Sequence, residues 1–214
     1  MYLMVATQPD ITFAVTKLAQ FSVNPSKEQY QKATYIIRYL LGTQDYKLVY
    51  DGASGKGFLA FTDSDWGADV STRRSMTGNF VQLANCSVSW VSKAQKTIAL
   101  SSTEAEYMAL SDCAFQAIWI QSLLAEIGFN IKTMPICGDN QGSVFMGSNP
   151  ITERRSKHID IKYHHIRELI EDKKITLHFV SGNDNPADLF TKNLPEISFR
   201  KYREMLELVI KDSK

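Results

Sequence analysis

The chain has 214 residues, of which 44% are hydrophobic and 22% are charged, as in an ordinary globular protein with one substantial core and a smaller appendage. A formal net charge of +1 excludes binding to nucleic acid through overall positive charge, so such contact needs a local basic patch or a metal site. The three widely spaced cysteines form no CxxC pair, which favours buried, reduced thiols over a zinc or disulfide framework. We expect no membrane partner, because no apolar run in the sequence approaches transmembrane length.

The first 43 residues show the apolar spacing of two helices. The first helix is expected to begin at Pro9-Asp10 and the second near Asn24-Pro25-Ser26, with Gly42 ending the second. The apolar stripes of both helices require another surface to bury them. Residues 51–57, which are rich in Gly and Ser, are predicted to be a linker or turn.

From residue 57 the pattern changes to that of β-structure. Strands are predicted at Phe58–Thr62, Asn79–Leu83 and Ser87–Ser92, with a hairpin turn at residues 84–86, and a further short strand is predicted at Thr97–Leu100. A long helix is predicted from about residue 103 to 127, ending before Gly128.

The remainder alternates between helix and strand. We predict a strand at 134–137, helices at 140–147 and 158–172, a strand at 175–180, a helix from about 186 and a terminal amphipathic helix at 197–210. Three antiparallel strands followed by this alternation indicate a mixed sheet with helices on its faces. Trp119 and Trp90 are expected in the core, whereas the position of Trp66 stays open.

Four acidic residues stand at four different junctions of these elements. Asp63 ends the first strand-like run, and Glu106 falls in the first turns of the long helix. Asp139 follows another short strand, and Asp188 comes just after Pro186. Carboxylates from separate elements can converge on divalent cations that hold a phosphate, which is the two-metal arrangement for in-line displacement at phosphorus.

Seven sequence strings, taken in order, resemble the ribonuclease H domain of copia-type (Ty1/copia) LTR retrotransposon polyproteins. Each string alone is weak evidence, but their combined order is specific and runs from about residue 2 to about residue 208. The strings are Tyr2–Ile11, Arg38–Thr43, Thr62–Gly67, Arg74–Gly78, Ala99–Tyr107, Lys157–His164 and Ala187–Lys192.

The resemblance implies an α/β fold of the ribonuclease H-like type. Its mixed five-stranded sheet has three antiparallel strands followed by parallel ones and is flanked by helices. The implied domains are an N-terminal helical tether from the reverse transcriptase at 1–50, the ribonuclease H domain at 51–195, and a C-terminal helix and tail at 196–214.

The resemblance also implies an activity, which is hydrolysis of the RNA strand of RNA–DNA hybrids during reverse transcription. Two Mg²⁺ (or Mn²⁺) ions would be held by Asp63, Glu106, Asp139 and Asp188, and the products would carry a 3′-hydroxyl and a 5′-phosphate. The implied partners are the hybrid and the reverse transcriptase domain of the same polyprotein. The implied location is the cytoplasm, in the virus-like particle of the retrotransposon.

Two of the four acids have close rivals. Asp65 would face the same side of an extended strand as Asp63, but the Thr-Asp-Ser string favours Asp63. Glu104 and Glu106 are separated by about 200° on a helix, so only one of them can face the metals. The family string favours Glu106, and Glu104 then serves as a first-turn charge. Asp139 is also suited to capping the helix that follows it.

Candidate contacts to nucleic acid flank the acids. In the family, residues that follow the third acid contact the hybrid, which makes Asn140 and Gln141 candidates for the minor groove and 2′-hydroxyls. For Arg154 and Arg155, a solvated loop and a phosphate contact to the DNA strand are equally open. The remaining candidate contacts are Ser64 and Thr103.

Three of the four histidines fall between residues 158 and 165. No cysteine and no HExxH pattern accompanies them, so packing or a helix start is favoured over a zinc site.

Three functions fit the ribonuclease H resemblance. The metal-dependent endonuclease is favoured because all four acidic positions are filled. The alternative, a protein that is not an enzyme, is a non-catalytic ribonuclease H-like module that binds hybrid or braces the polymerase. A transposase- or integrase-type nuclease is disfavoured, because such enzymes commonly use three acids with a late Glu, whereas the late acid here is Asp188.

Overall fold

The computed structural model describes residues 1–50, 57–148 and 157–210. The helices are α1 (Tyr2–Ala6), α2 (Thr12–Ala19), α3 (Lys27–Gly42), α4 (Ser102–Glu126), α5 (Gln141–Ser148), α6 (Lys157–Glu171) and α7 (Glu196–Met205). The strands are β1 (Tyr46–Leu48), β2 (Phe58–Asp65), β3 (Met76–Leu83), β4 (Cys86–Ala94), β5 (Met134–Gly138), β6 (Ile175–Phe179) and β7 (Leu208–Ile210). Short 3₁₀ helices lie at Pro9–Ile11, Gly182–Asp184 and Pro186–Phe190.

The central sheet has the strand order β4-β3-β2-β5-β6. Strands β4, β3 and β2 are antiparallel neighbours, whereas β2, β5 and β6 run parallel. Ala84 and Asn85 both have positive φ, as the two-residue hairpin turn between β3 and β4 requires. The predicted fold class, a mixed five-stranded sheet of the ribonuclease H-like type, is therefore confirmed.

The two faces of the sheet bury separate cores because successive side chains of a strand point to opposite sides. One face, which carries Ala60 and Val81, packs against Tyr107 of α4 and Ile166 of α6. The other face packs against the C-terminal part of the chain. Its buried side chains are Phe61, Phe80, Cys137, Ala187, Leu189, Phe190, Tyr202, Leu206 and Leu208.

The N-terminal helices contact the sheet and the C-terminal segment directly. The Trp90 indole donates to the Met4 carbonyl at 2.6 Å, and the Thr16 hydroxyl donates to the Ser92 carbonyl at 3.3 Å. Strand β1 pairs antiparallel with β7. Residues on both sides of the proposed boundaries near 50 and 195 thus pack together, and the boundaries themselves stay a prediction.

Several predicted elements are wrong in detail. No strand forms at Thr97–Leu100, because the Ala99 carbonyl accepts from the Trp66 indole and the Leu100 amide donates to the Glu104 carboxylate. The helix predicted from about residue 186 is only a short 3₁₀ helix.

The two ends of the chain also differ from the prediction. The predicted terminal helix ends at Met205, because Glu207 has a positive φ of 56° and the chain then forms β7. The helix predicted to begin at Pro9-Asp10 starts as a 3₁₀ turn at Pro9–Ile11 and continues as α2, and it is preceded by α1, which the sequence pattern did not predict.

Helix α4 is the longest element and forms the wall of one core. Its length and apolar composition would allow it to cross a membrane. Half of its most apolar 18-residue stretch is buried inside the protein, however, as in the core helix of a globular domain. Trp119 nevertheless lies on its solvent side and is 63% exposed, so the prediction of a core position is wrong. Trp90 is half-buried beside the second core, whereas the three cysteines are buried as expected.

Candidate active site

Three of the four predicted acids converge at one edge of the sheet. Asp63 lies near the end of β2, and Asp139 directly follows β5, which runs parallel to β2. Asp188 lies in the 3₁₀ helix Pro186–Phe190, which packs against β3 beside Asp63. One carboxylate oxygen from each of the three lies within 4.8 Å of the others. Among the described residues this is the one cluster of three or more acidic, His or Cys side chains spaced to hold a metal ion.

A glycine permits the close approach of the 3₁₀ helix. Gly78 on β3 is the register partner of Asp63. A Cβ atom at Gly78 would lie 2.7 Å from the Ala187 carbonyl oxygen and 2.7 Å from Thr191 Cγ2. The absence of a side chain therefore lets the segment that carries Asp188 pack directly on the strand.

Glu106 approaches the cluster from α4. Its Oε1 accepts a hydrogen bond from the Ser64 amide at 3.2 Å, which places its carboxyl group beside the end of β2. Burial, together with the negative charges of Asp63 and Asp139, raises the pKa of Glu106 to about 9. The rival Glu104 instead accepts from the Leu100 amide and so stabilises the start of α4.

Burial and neighbouring negative charge also raise the pKa values of two other carboxyl groups in the cluster, those of Asp188 and Asp139. Burial and the Asp63 charge raise the pKa of Asp188 to about 7, and the same two causes raise the pKa of Asp139. Raised pKa values of several acids in one place are typical of a site that concentrates negative charge for a ligand. Asp65, the rival of Asp63, is not in the cluster of three, and burial raises its pKa too.

Lys192 is a functional candidate that the sequence analysis missed. Its Nζ lies 2.8 Å from Asp188 Oδ1 and 3.7 Å from Asp63 Oδ2. Burial opposes its positive charge, but Asp63 and Asp188 raise its pKa. The neighbouring Thr191 hydroxyl donates to Asp63 Oδ2. The spacing of four residues between Asp188 and Lys192 in a helical segment was a usable signal for this contact.

Some of the side chains predicted to contact nucleic acid already have partners within the protein. The Asn140 side chain accepts from the Ser143 amide at 2.9 Å, so Asn140, rather than Asp139, caps α5. Ser64 is buried, and Thr103 packs beside Gly142 at the start of α5. Gln141 is exposed. Arg154 and Arg155 lie outside the described residues.

The described histidines and Trp66 have structural partners. His165 stacks on Phe115 with ring centroids 4.4 Å apart, and the His178 ring is hydrogen-bonded to the Thr176 hydroxyl. Trp66 is 53% exposed, and its indole donates to the Ala99 carbonyl at 3.0 Å.

The chain is similar to much longer proteins from plant transposons. It is 38% identical over 206 residues to the retrovirus-related Pol polyprotein from transposon TNT 1-94 of Nicotiana tabacum, a match that covers 96% of this chain. Over nearly its whole length, the chain is homologous to a segment of the retrovirus-related Pol polyproteins from copia-type transposons. The polyprotein from transposon RE1 of Arabidopsis thaliana is 36% identical over 198 residues, or 92% of this chain. This chain spans 15% and 13% of the length of these two relatives.

Similarity to solved structures is weaker, and no protein-family model matches the chain. LC11-RNase H1 in complex with RNA/DNA hybrid gives a TM-score of 0.46 at 15% identity, covering 63% of this chain and 93% of that one. RNase H1 from Halobacterium salinarum gives a TM-score of 0.43 at 15% identity, with coverage of 64% and 95%.

The chain combines the ribonuclease H-like sheet with an acidic cluster at the edge of that sheet. The donors of the cluster are all carboxylate oxygens, which are the ligands preferred by hard divalent cations. The mutual repulsion that raises the pKa values of Asp188 and Asp139 would be relieved by bound positive charge. The residues present therefore fit a divalent metal.

Proposed function

We propose that this domain is a ribonuclease H that hydrolyses the RNA strand of RNA–DNA hybrids. The observation that carries the proposal is the convergence of Asp63, Asp139 and Asp188 within 4.8 Å, with Glu106 reaching the same strand end from α4. Similarity over nearly the whole chain to Pol polyproteins of copia-type transposons supports the choice of substrate, because reverse transcription produces such hybrids.

In this proposal Asp63, Glu106, Asp139 and Asp188 hold two Mg²⁺ or Mn²⁺ ions. When bound, such ions lower the pKa of water and offset the charge that develops on the leaving oxygen. The water oxygen forms a bond to phosphorus as the bond from phosphorus to the 3′ oxygen breaks, which leaves a 3′-hydroxyl and a 5′-phosphate. The burial of Asp63, which is 2% exposed, keeps its carboxylate in a fixed orientation at the centre of the site.

Other residues of the chain orient the site and its substrate. Thr191 fixes one oxygen of Asp63, and the Ser64 amide fixes one oxygen of Glu106. Asn140 and Gln141, at the start of α5, are positioned next to Asp139 to meet the minor groove of the hybrid. Ser64 and Thr103 are proposed as further contacts, and Arg154 with Arg155 as phosphate contacts whose removal should reduce the salt dependence of binding.

The proposal places this domain with the reverse transcriptase of the same polyprotein, in a cytoplasmic virus-like particle. The Pol relatives, of which this chain spans about one seventh or less, support a partner within the same polyprotein. The location follows from the family resemblance alone.

A cleavage assay tests the activity. The purified chain is incubated with an end-labelled RNA–DNA hybrid in Mg²⁺, Mn²⁺ or EDTA, with RNA–RNA and DNA–DNA duplexes as controls. We expect cleavage of only the RNA strand of the hybrid, and no cleavage in EDTA. Hybrid binding without any cleavage would favour the non-catalytic module, and cleavage of duplex DNA would favour a transposase-type nuclease.

Asp139→Asn and two matched pairs of variants assign the acids. Asp139→Asn is nearly isosteric and should abolish cleavage while preserving the fold. Glu106→Gln should also abolish it, whereas Glu104→Gln should not, because Glu104 contacts only the start of α4. Asp65→Asn serves as the matched control for Asp63→Asn. Full activity of Asp139→Asn would remove Asp139 from the proposed metal site.

A further inference from the structure

A groove between α2 and α3 opens beside the acidic cluster. Its volume is about 610 Å³, within the range of about 300–1,000 Å³ that is typical of ligand sites. One end of the groove is lined by Asp65, Lys192 and Asn193, and Lys192 also contacts Asp188 and Asp63. The groove therefore shares Lys192 with the candidate active site.

The walls of the groove combine aromatic rings with three lysines and the two carboxylates of Glu28 and Asp65. Phe21 and Tyr35 line it and are 44% and 65% exposed, respectively. Arg38 lies 5.5 Å from the centroid of the Tyr35 ring. Exposed rings of this kind are free to stack on a planar partner, and a nearby guanidinium adds a cation–π contribution.

Lysine side chains line the groove on more than one side. Lys17, Lys32 and Lys192 all belong to its walls. Lys32 pairs with Glu28 at 2.7 Å, and Lys192 pairs with Asp188. Lys17 lies 5.9 Å from the centroid of the Phe13 ring and acts on Asp65 and Asp69 through its charge, but among the described residues it forms no ion pair, so an anionic ligand can still approach it.

A second groove extends the first one away from the acidic cluster. Its volume is about 710 Å³, and it shares Lys17, Phe21 and Ala68 with the first groove before it reaches Arg74. Lys192 thus lines the first groove, Arg74 lines the second, and Lys17 and Phe21 line both. Cations together with exposed rings are the features of a channel for single-stranded nucleic acid.

We propose that the α2–α3 groove binds unpaired nucleotides of the strand that leaves the acidic cluster. The lysines would contact the phosphates, and Phe21 and Tyr35 would stack on bases without regard to sequence. Paired bases in a duplex are stacked on one another and cannot use these rings, which favours a single strand over a duplex. This inference rests on the proposed function in that it takes the substrate to be nucleic acid.

Binding to matched substrates tests the inference. In EDTA, where cleavage is blocked, fluorescence anisotropy compares a blunt RNA–DNA hybrid with the same hybrid carrying a six-nucleotide single-stranded extension of RNA or of DNA. We expect at least fivefold tighter binding of one extended hybrid, the fold-change given by about 1 kcal/mol from one stacked base. 2-Aminopurine placed in the extension should lose fluorescence on binding because it stacks on a ring.

Variants of the groove locate the effect. The double variant Phe21→Ala/Tyr35→Ala should lose the preference for the extension and the fluorescence change, with blunt-hybrid binding unchanged. Tyr35→Phe should retain both. Tyr30→Ala is the matched control, because Tyr30 lies on α3 like Tyr35 and is 72% exposed but does not line the groove.

The outcomes separate this inference from the proposed function. Two results would overturn the groove assignment: equal affinity of the wild-type chain for blunt and extended hybrids, and an unchanged preference in the double variant. Either result is expected if the groove binds a protein segment. In that case, cleavage of the blunt hybrid in Mg²⁺ would still support the proposed function. A preference for the extension without any cleavage would support the groove and count against the nuclease.

Discussion

Gly78→Ala is expected to disturb the acidic cluster without touching any of its carboxylates. The new Cβ would lie 2.7 Å from the Ala187 carbonyl oxygen, 2.7 Å from Thr191 Cγ2 and 2.9 Å from Phe190 Cβ. Ordinary contact begins near 3.4 Å, so the segment must retreat by roughly 0.7 Å. One of the contacted atoms is a backbone oxygen, which has no rotamer with which to move away.

The expected cost is at the upper end of the range for overpacking, about 3 kcal/mol of unfolding free energy. For a domain of this size that corresponds to a decrease in Tm of about 6–12 °C. Asp188 lies between Ala187 and Thr191, so the same shift moves its carboxylate away from Asp63. We therefore also expect weaker Mn²⁺ binding and lower activity in the molecules that remain folded.

Urea denaturation and calorimetric titration with Mn²⁺ measure the two effects separately. Gly42→Ala is the control, because nothing lies within 4 Å of a Cβ at that position. Alanine is the better helix former, so this control should be neutral or more stable by up to about 1 kcal/mol. The reasoning is refuted if Gly78→Ala unfolds within about 0.5 kcal/mol of wild type and binds Mn²⁺ equally well.

Three further predictions concern the charged groups. In EDTA, the free energy of unfolding should fall as pH rises from about 5 to 9, because the raised pKa of Glu106 lets the folded chain keep a proton that the unfolded chain loses near 4.5. Urea titrations in this pH range measure it, and a rise in stability would contradict it. Tyr39→Phe should cost about 1–3 kcal/mol in urea denaturation, because it removes a hydrogen-bond donor to the buried carboxyl group of Asp10. An effect below about 0.5 kcal/mol would show that Asp10 finds another partner. Lys192→Met should lower Tm in EDTA yet tighten Mn²⁺ binding about tenfold by calorimetry, because an ammonium 2.8 Å from Asp188 no longer competes with the metal. Weaker Mn²⁺ binding would instead assign Lys192 a supporting role in the metal-bound state.

The positions of the acids could be predicted from sequence because they depend on short-range patterns. Asp63 and Asp139 follow apolar runs that read as strands, and parallel strands end at the same edge of a sheet. The hairpin at Ala84 and Asn85 was likewise visible as a turn between two strand patterns. Local sequence patterns therefore suffice to predict which structural junctions carry the carboxylates.

Other features depend on which surfaces meet, and local patterns do not specify this. The contact of Lys192 with Asp63 requires the 3₁₀ helix to pack on Gly78, which only the assembled fold reveals. The pairing of β1 with β7 joins residues that are about 160 positions apart. Trp119 was misjudged because α4 is apolar on nearly all sides, so its sequence does not distinguish the buried face from the exposed one.

The N-terminal helices are fixed to the nuclease sheet by contacts that also position the proposed strand groove. Arg203 of α7 donates to the hydroxyls of Tyr39 and Tyr46, and the Tyr39 hydroxyl donates to the buried Asp10. Asp10 and Arg203 are 5% and 8% exposed, so their charges depend on this network for compensation. Helices joined to the sheet by a flexible tether alone would not hold Tyr35 at a set distance from the acidic cluster. The buried network therefore makes the groove and the cluster parts of one surface, and a strand leaving the cluster would meet the groove without any prior rearrangement.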